Sequence, residues 1–222
     1  MAAETTHIKP VLDYTYEKKL LPQYPIIAGI DEVGRGPLAG PVTACAVVIK
    51  NPEPLLKVND SKTLSPKKRD ELYTLIWQNA YVAVGHASVA EIDRINILQA
   101  TFLAMRRAVE KLPIKPDYAI IDGNKIPPKL SIPAEWVIKG DGKVLSVAAA
   151  SIVAKVTRDR IMAKLAHDHP HFGWESNAGY GSKQHLAALK TYGATPYHRH
   201  SFAPVAEAAK LHSASPKLHF SA

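Results

Sequence analysis

One cysteine, Cys45, stands in 222 residues, so no internal disulfide can form and no cysteine cluster is present for a structural zinc. A reducing, cytoplasmic setting is the expectation that follows. No apolar run reaches the ~18 residues a membrane helix needs. The first ten residues, MAAETTHIKP, lack the basic start and apolar stretch of a secretory signal. No membrane partner is therefore expected. Acidic residues are also in short supply: 20 Asp and Glu face 28 Lys and Arg, a net charge of +8 with a pI near 9.4. An excess of that sign points to a polyanionic partner, nucleic acid first, against the alternative of an indifferent basic surface. What is present is ordinary: 46% apolar and 22% charged residues exclude a disordered or fibrous chain.

No internal repeat is visible, and no linker-like stretch divides the chain before residue 203. Residues 26–203 therefore read as one domain. An N-terminal extension covers 1–25, where Val11, Tyr14 and Leu21 can pack as a short helix. A short helix or flexible tail covers 204–222. Residues 26–30, small and apolar without alternation, predict a strand buried on both faces. Residues 42–49 predict a second strand from their β-branched content. Between them VGRGPLAGP holds three glycines and two prolines, which excludes regular structure. Ser65 followed by Pro66 marks a helix start. Strands are expected at 81–89, 118–121 and 136–138. Helices are expected from Ser88 or Asn96 to Pro113, over 144–165, and over 182–192 with Gly193 as its left-handed end. The alternation predicts an α/β fold with a mixed sheet.

Acidic residues recur at the strand ends. Asp31 and Glu32 close the first strand, Asp122 closes YAII, and Asp141 follows WVIKG. Ligands of open α/β sheets bind beyond the carboxyl ends of strands. Neighbouring strand side chains point to opposite faces, so Asp31 and Glu32 can meet in one site only if the chain bends between or just after them, as the glycine-rich loop that follows allows. Taken singly, Asp122-Gly123 and Asp141-Gly142 read as plain turns. Taken together, four gathered carboxylates demand a cation, and hard oxygen donors select Mg²⁺ or Mn²⁺. Such a cage on a basic protein suits two-metal phosphodiester cleavage.

These residues lie in longer motifs. GIDEVGRGPLAGPV at 29–42, DSKTLS at 60–65, IDG at 121–123, KGDGKVLSVAAASIVAKVTRDR at 139–160, NAGYGSKQH at 177–185 and HRHSF at 198–202 resemble, in order, the motifs of the ribonuclease HII family. The resemblance spans about residues 26–204. It implies an RNase H-like fold with a central mixed five-stranded sheet flanked by helices. It implies that Asp31, Glu32, Asp122 and Asp141 are the catalytic, metal-binding carboxylates. It further implies an endonuclease that cuts the RNA strand of RNA–DNA hybrids and nicks DNA on the 5′ side of embedded ribonucleotides, leaving 3′-hydroxyl and 5′-phosphate ends. Gly34, Arg35 and Gly36 match the loop that reads the ribose 2′-hydroxyl, the one group that separates the two sugars. Tyr180 matches a tyrosine that stacks on the following sugar. Lys62, Lys155, Lys183 and Arg199 are candidate phosphate contacts by motif position.

Other residues read as structural. Asp159 falls inside a predicted helix, and Cys45 is a small buried hydrophobe. His167, His169 and His171 carry no fixed ligand spacing. Lys67, Lys68 and Arg69 occupy the helix end that disfavours cations, which hints at a substrate role. A monomer is expected, and the tail shows no clear sliding-clamp motif. Two other functions compete: an RNase H-like nuclease acting on DNA alone, and a non-catalytic hybrid-binding protein. The acidic set opposes the latter and the GRG loop the former.

Overall fold

Strand β2 (Val42–Ile49) is buried along its whole length. Its alternate residues serve two cores. Val42, Ala44, Ala46 and Val48 pack into a cluster with helix α3 (Val89–Glu110). Cys45, Val47 and Ile49 pack into another with α4 (Leu145–Asp168). A sheet covered by helices on both faces follows directly from this period of two. The computed structural model describes residues 12–58 and 65–214.

The sheet has five strands in the order β3-β2-β1-β4-β5, with β1 (Ile27–Val33) in the middle. β1 runs antiparallel to β2, and β2 antiparallel to β3 (Ala80–Ala87). β1 runs parallel to β4 (Tyr118–Asp122), and β4 parallel to β5 (Ala134–Val137). The sheet is mixed, as expected. β5 begins two residues earlier than the sequence suggests. It ends before Lys139, which adopts a left-handed conformation (φ 55°), and it leaves Trp136 and Ile138 exposed.

Two glycines set how closely the helices approach. A Cβ on Gly29 of β1 would lie 2.3 Å from the Ser146 carbonyl carbon of α4. A Cβ on Gly85 of β3 would lie 2.1 Å from the Ala104 carbonyl oxygen of α3. Both positions therefore exclude any side chain. Helix α2 (Pro66–Asn79), capped by the Ser65 hydroxyl, packs outside α4.

Helix α3 resolves the choice between Ser88 and Asn96: both act as caps. Ser88 forms a capping box with Glu91. At Asn96 the backbone leaves the helix (φ 65°, ψ 164°), and the Asn96 side chain then accepts from the Gln99 N–H at 3.1 Å. Helix α4 has no cap of its own. Glu17 of the short α1 (Thr15–Leu20) supplies it, accepting from the Ser146 N–H at 2.8 Å. The segment before β1 is thereby tied to the sheet, with Leu12 buried against the α4 face. Val11 lies outside the described residues.

Helices α5 (Trp174–Asn177), α6 (Lys183–Tyr192) and α7 (Ala203–Ala214) close a smaller cluster. Its core holds Phe172, Trp174, Leu189 and Val205, and it sits on Met162 of α4 and on Leu38 and Ala39 of the β1–β2 loop. Gly193 follows α6 with positive φ but extended ψ (75°, −177°), so it turns the chain without the left-handed cap expected there.

Candidate active site

Four acidic residues stand at one edge of the sheet. β1 and β4 are parallel neighbours, and their ladder runs as far as Ile30 opposite Ile121. Asp31 and Asp122 are the next residues on each strand. They occupy the same register position, and by strand alternation they share the α4 face. No bend separates Asp31 from Glu32, because the ladder with β2 continues unbroken to Val33 opposite Thr43. The chain turns just after them instead, where the strand ends at Val33 and Gly34 takes a positive φ of 92°. Glu32 lies near enough to Asp122 for the two charges to oppose each other.

The charges act on one another. Asp31 is 5% exposed. Burial holds its carboxyl well above the usual range, and Glu32 and Asp122 add to the rise. Burial also raises Glu32. Arg35, at 3.4 Å, opposes that rise and Asp122 adds to it. Asp141 is buried within a turn of 3-10 helix, Gly140–Gly142. That turn is fastened to β4, since the Gly140 N–H donates to the Asp122 carboxylate at 2.6 Å. The Asp31 carboxylate accepts from the Glu32 N–H at 2.8 Å and from the Ser151 side chain of α4. Among the described residues no group of three His, Cys, Asp or Glu is arranged to hold a metal ion.

The VGRGPLAGP loop adjoins this edge. Gly34 has φ 92°, and a Cβ there would meet the Arg158 guanidinium at 2.2 Å. Arg35 and Gly36 are exposed. Tyr180, 47% exposed, stands beside them: a Cβ on Gly36 would lie 3.3 Å from its ring.

The basic candidates scatter. Lys155 on α4 pairs with Asp159 at 2.7 Å. Lys183 is exposed in the first turn of α6. Lys62 lies outside the described residues. Arg199 requires correction as a phosphate contact: it is fully buried. Its guanidinium donates to the carbonyls of Gly40 (3.0 and 2.9 Å), Arg35 (3.0 Å) and Gly34 (2.6 Å). A guanidinium committed to interior carbonyls cannot also meet a phosphate at the surface.

Sequence reasoning missed three supports. Arg158 donates to the carbonyls of Pro41, Ala178 and Ala39. Burial lowers its pKa to about 10 and that of Arg199 to about 9, so both stay charged at neutral pH. Ser151 acts on Asp31 as described. His185 and His198 form a buried pair, Nε2 to Nε2 at 3.0 Å. Trp174 donates to His185 Nε2, and the Thr195 N–H donates to His198 Nδ1. These donors fix both tautomers: His198 donates from Nε2, and His185 donates from Nδ1 to the Tyr180 carbonyl at 2.9 Å. An arginine or histidine in a motif gives no sign of whether it faces inward, which is why the sequence does not separate these roles.

Comparison with known proteins decides the family. The family model described as "Ribonuclease HII" matches residues 28–205. The chain belongs to the ribonuclease HII family. It is 58% identical to a ribonuclease HII of Jannaschia sp., over 82% of this chain and 92% of that one. It is 59% identical to that of Paramagnetospirillum magneticum, over 82% and 92% respectively. The fold is similar to the crystal structure of the ribonuclease H2 from Pyrococcus horikoshii, with TM-score 0.72 and 30% identity over 86% of this chain and 100% of that one. The RNase H-like α/β fold and membership of a family of hydrolytic endonucleases agree with the reading from motifs. No helix among the described residues is long and apolar enough to cross a membrane.

Proposed function

We propose that this ribonuclease HII family member hydrolyses the RNA strand of RNA–DNA hybrids and nicks DNA on the 5′ side of embedded ribonucleotides. The ends left are a 3′-hydroxyl and a 5′-phosphate, and the work served is the removal of ribonucleotides from DNA. The observation that carries this reading is the placing of Asp31 and Asp122 at one register position of parallel neighbouring strands, with Glu32 next in the chain, and the exposed Arg35 and Gly36 and the Tyr180 ring alongside.

The donor set fits a divalent cation. Asp31, Glu32, Asp122 and Asp141 offer hard oxygens, which favour Mg²⁺ or Mn²⁺ over softer metals. Buried like charges raise one another's pKa unless a cation offsets them. The Gly140 and Glu32 N–H groups each engage one oxygen, Oδ1, of Asp122 and Asp31, and each carboxylate has a second oxygen to offer an ion. When bound, paired divalent ions supply an activated water and stabilise the leaving oxygen in an in-line displacement. The chain's own residues do the rest. Gly34, Arg35 and Gly36 meet the ribose, whose 2′-hydroxyl both donates and accepts. Tyr180 offers a flat apolar face to the next sugar. Lys155 and Lys183, and Lys62 by its motif, hold phosphates and so set register rather than sequence. The enzyme works as a monomer.

The test is a pair of duplexes, one with a single ribonucleotide and one all-DNA, each with Mg²⁺ and with chelator. Cleavage of the first alone, lost with chelator, is expected. Equal cutting of both would favour a general DNA nuclease, and cutting that survives chelation would remove the metals.

A further inference from the structure

The loop that borders the carboxylates is held from behind, and the way it is held determines what it shows in front. Five of its carbonyls, those of Gly34, Arg35, Ala39, Gly40 and Pro41, accept from the two buried guanidiniums. In a trans peptide the C=O of one residue and the N–H of the next point in opposite directions, and no peptide bond here is cis. With the Gly34 carbonyl drawn inward at 2.6 Å, the Arg35 N–H must face outward. With the Arg35 carbonyl drawn inward at 3.0 Å, the Gly36 N–H must face outward as well. Among the described residues neither N–H has a hydrogen-bond partner, and both residues are exposed. The two amides therefore form a pair of aligned donors beside the Tyr180 ring.

Among the described residues, Arg199 alone makes this arrangement at Arg35 and Gly36. Arg158 holds the far half of the loop, at Ala39 and Pro41. Arg199 is itself fastened: its N–H donates to the Leu38 carbonyl at 2.8 Å, and its guanidinium lies over the Phe202 ring at 5.2 Å. Its partners are 164 and 165 positions away in the chain, so the last motif orients the first.

We infer that Arg199 is a specificity-positioning residue: from inside the fold it turns the Arg35 and Gly36 N–H groups outward, where they donate to a ribose 2′-oxygen. This rests on the proposed substrate and names how that substrate is read. A lysine at 199 keeps a charge but loses the planar fork that reaches three carbonyls at once.

The experiment measures binding of Arg199→Lys and of the unaltered protein to the single-ribonucleotide duplex and to its all-DNA counterpart. Fluorescence anisotropy in chelator separates binding from cleavage. The unaltered protein should prefer the ribonucleotide duplex. In Arg199→Lys that preference should fall at least tenfold, while all-DNA affinity changes less than twofold. Equal weakening on both duplexes would make Arg199 a general affinity residue, and an unchanged preference would make the loop's orientation irrelevant. Either overturns the inference. If the unaltered protein itself shows no preference, the proposed substrate fails first. Should Arg199→Lys not fold, amide NMR on the unaltered protein decides. The Arg35 and Gly36 N–H groups should gain exchange protection with the ribonucleotide duplex and not with all-DNA. Equal protection by both overturns the inference.

Discussion

Asp31 combines burial, a carboxylate neighbour on its own strand and a carboxylate at the same register on the next. Its protonation is pushed up because the ionised form has little water and two like charges nearby. Asp31→Asn keeps the shape and removes the charge. The metal-free variant should unfold at an equal or higher urea midpoint. Cleavage of the single-ribonucleotide duplex should fall by more than the roughly 10–100-fold that loss of an outer supporting contact costs a metal site. A variant that is both less stable and fully active would show that the Asp31 charge is already compensated and uninvolved. At this scale the placing of Asp31, Glu32 and Asp122 at the ends of apolar strands was legible, because strand ends follow from local sequence. Arg199 was not legible. A basic residue in a motif reads as a surface contact until burial turns it inward, and burial is set by residues far away in the chain.

At the scale of elements, the register of α4 against β1 governs the site. Ser151 reaches Asp31 from that helix, and Gly29 is what lets the helix lie so close. Gly29→Ala would place a methyl 2.3 Å from the Ser146 carbonyl carbon and 2.5 Å from the Val147 nitrogen. That peptide is helix backbone and cannot yield as a flexible side chain would. The expected loss meets or exceeds the ~1–3 kcal/mol typical of overpacking, read from urea unfolding, and activity should drop with it as α4 is displaced. A loss under about 0.5 kcal/mol, the ordinary range for a neutral surface change, would mean the contact relaxes freely. Helix starts were readable here because caps are local: Ser65, Ser88, Asn96 and Ser182 each accept from the N–H three residues on. The cap of α4 was not readable. Glu17, 129 positions before Ser146, supplies it across the fold.

The whole molecule carries a second stability device in the cluster behind Tyr180. Burial lowers the His198 imidazole to about 3, with His185, His200 and His169 adding in the same direction. Burial lowers His185 too. Its neighbours leave no room for a second proton, since the Thr195 N–H already points at His198 Nδ1. A base whose folded pKa lies below its unfolded value of about 6.5 adds stability that is fully present above that value. The contribution is lost as pH falls toward 3. The stability advantage of the unaltered protein over His198→Asn should therefore shrink between pH 7 and 5. Its slope should approach about 1.4 kcal/mol per pH unit, the value for one proton. Urea unfolding of both proteins measures it, and the raised carboxyls Asp31, Glu32 and Glu17 cancel in the difference. A gap independent of pH would show that His198 titrates normally in the fold.

By itself the order of residues determined the local features of this protein: two-faced strands from unbroken small apolar runs, helix starts from side-chain caps, and acids waiting at strand ends. Each rests on interactions within a few residues, which a linear chain displays openly. Tertiary structure alone decided which side chains meet. It put β1 at the centre of the sheet so that Asp31 and Asp122 share a register, and it buried Arg158 and Arg199 behind the glycine loop. It also linked His185 to Tyr180. The reason is that proximity across more than a hundred residues and the direction of a side chain are set by packing, and packing belongs to the folded whole.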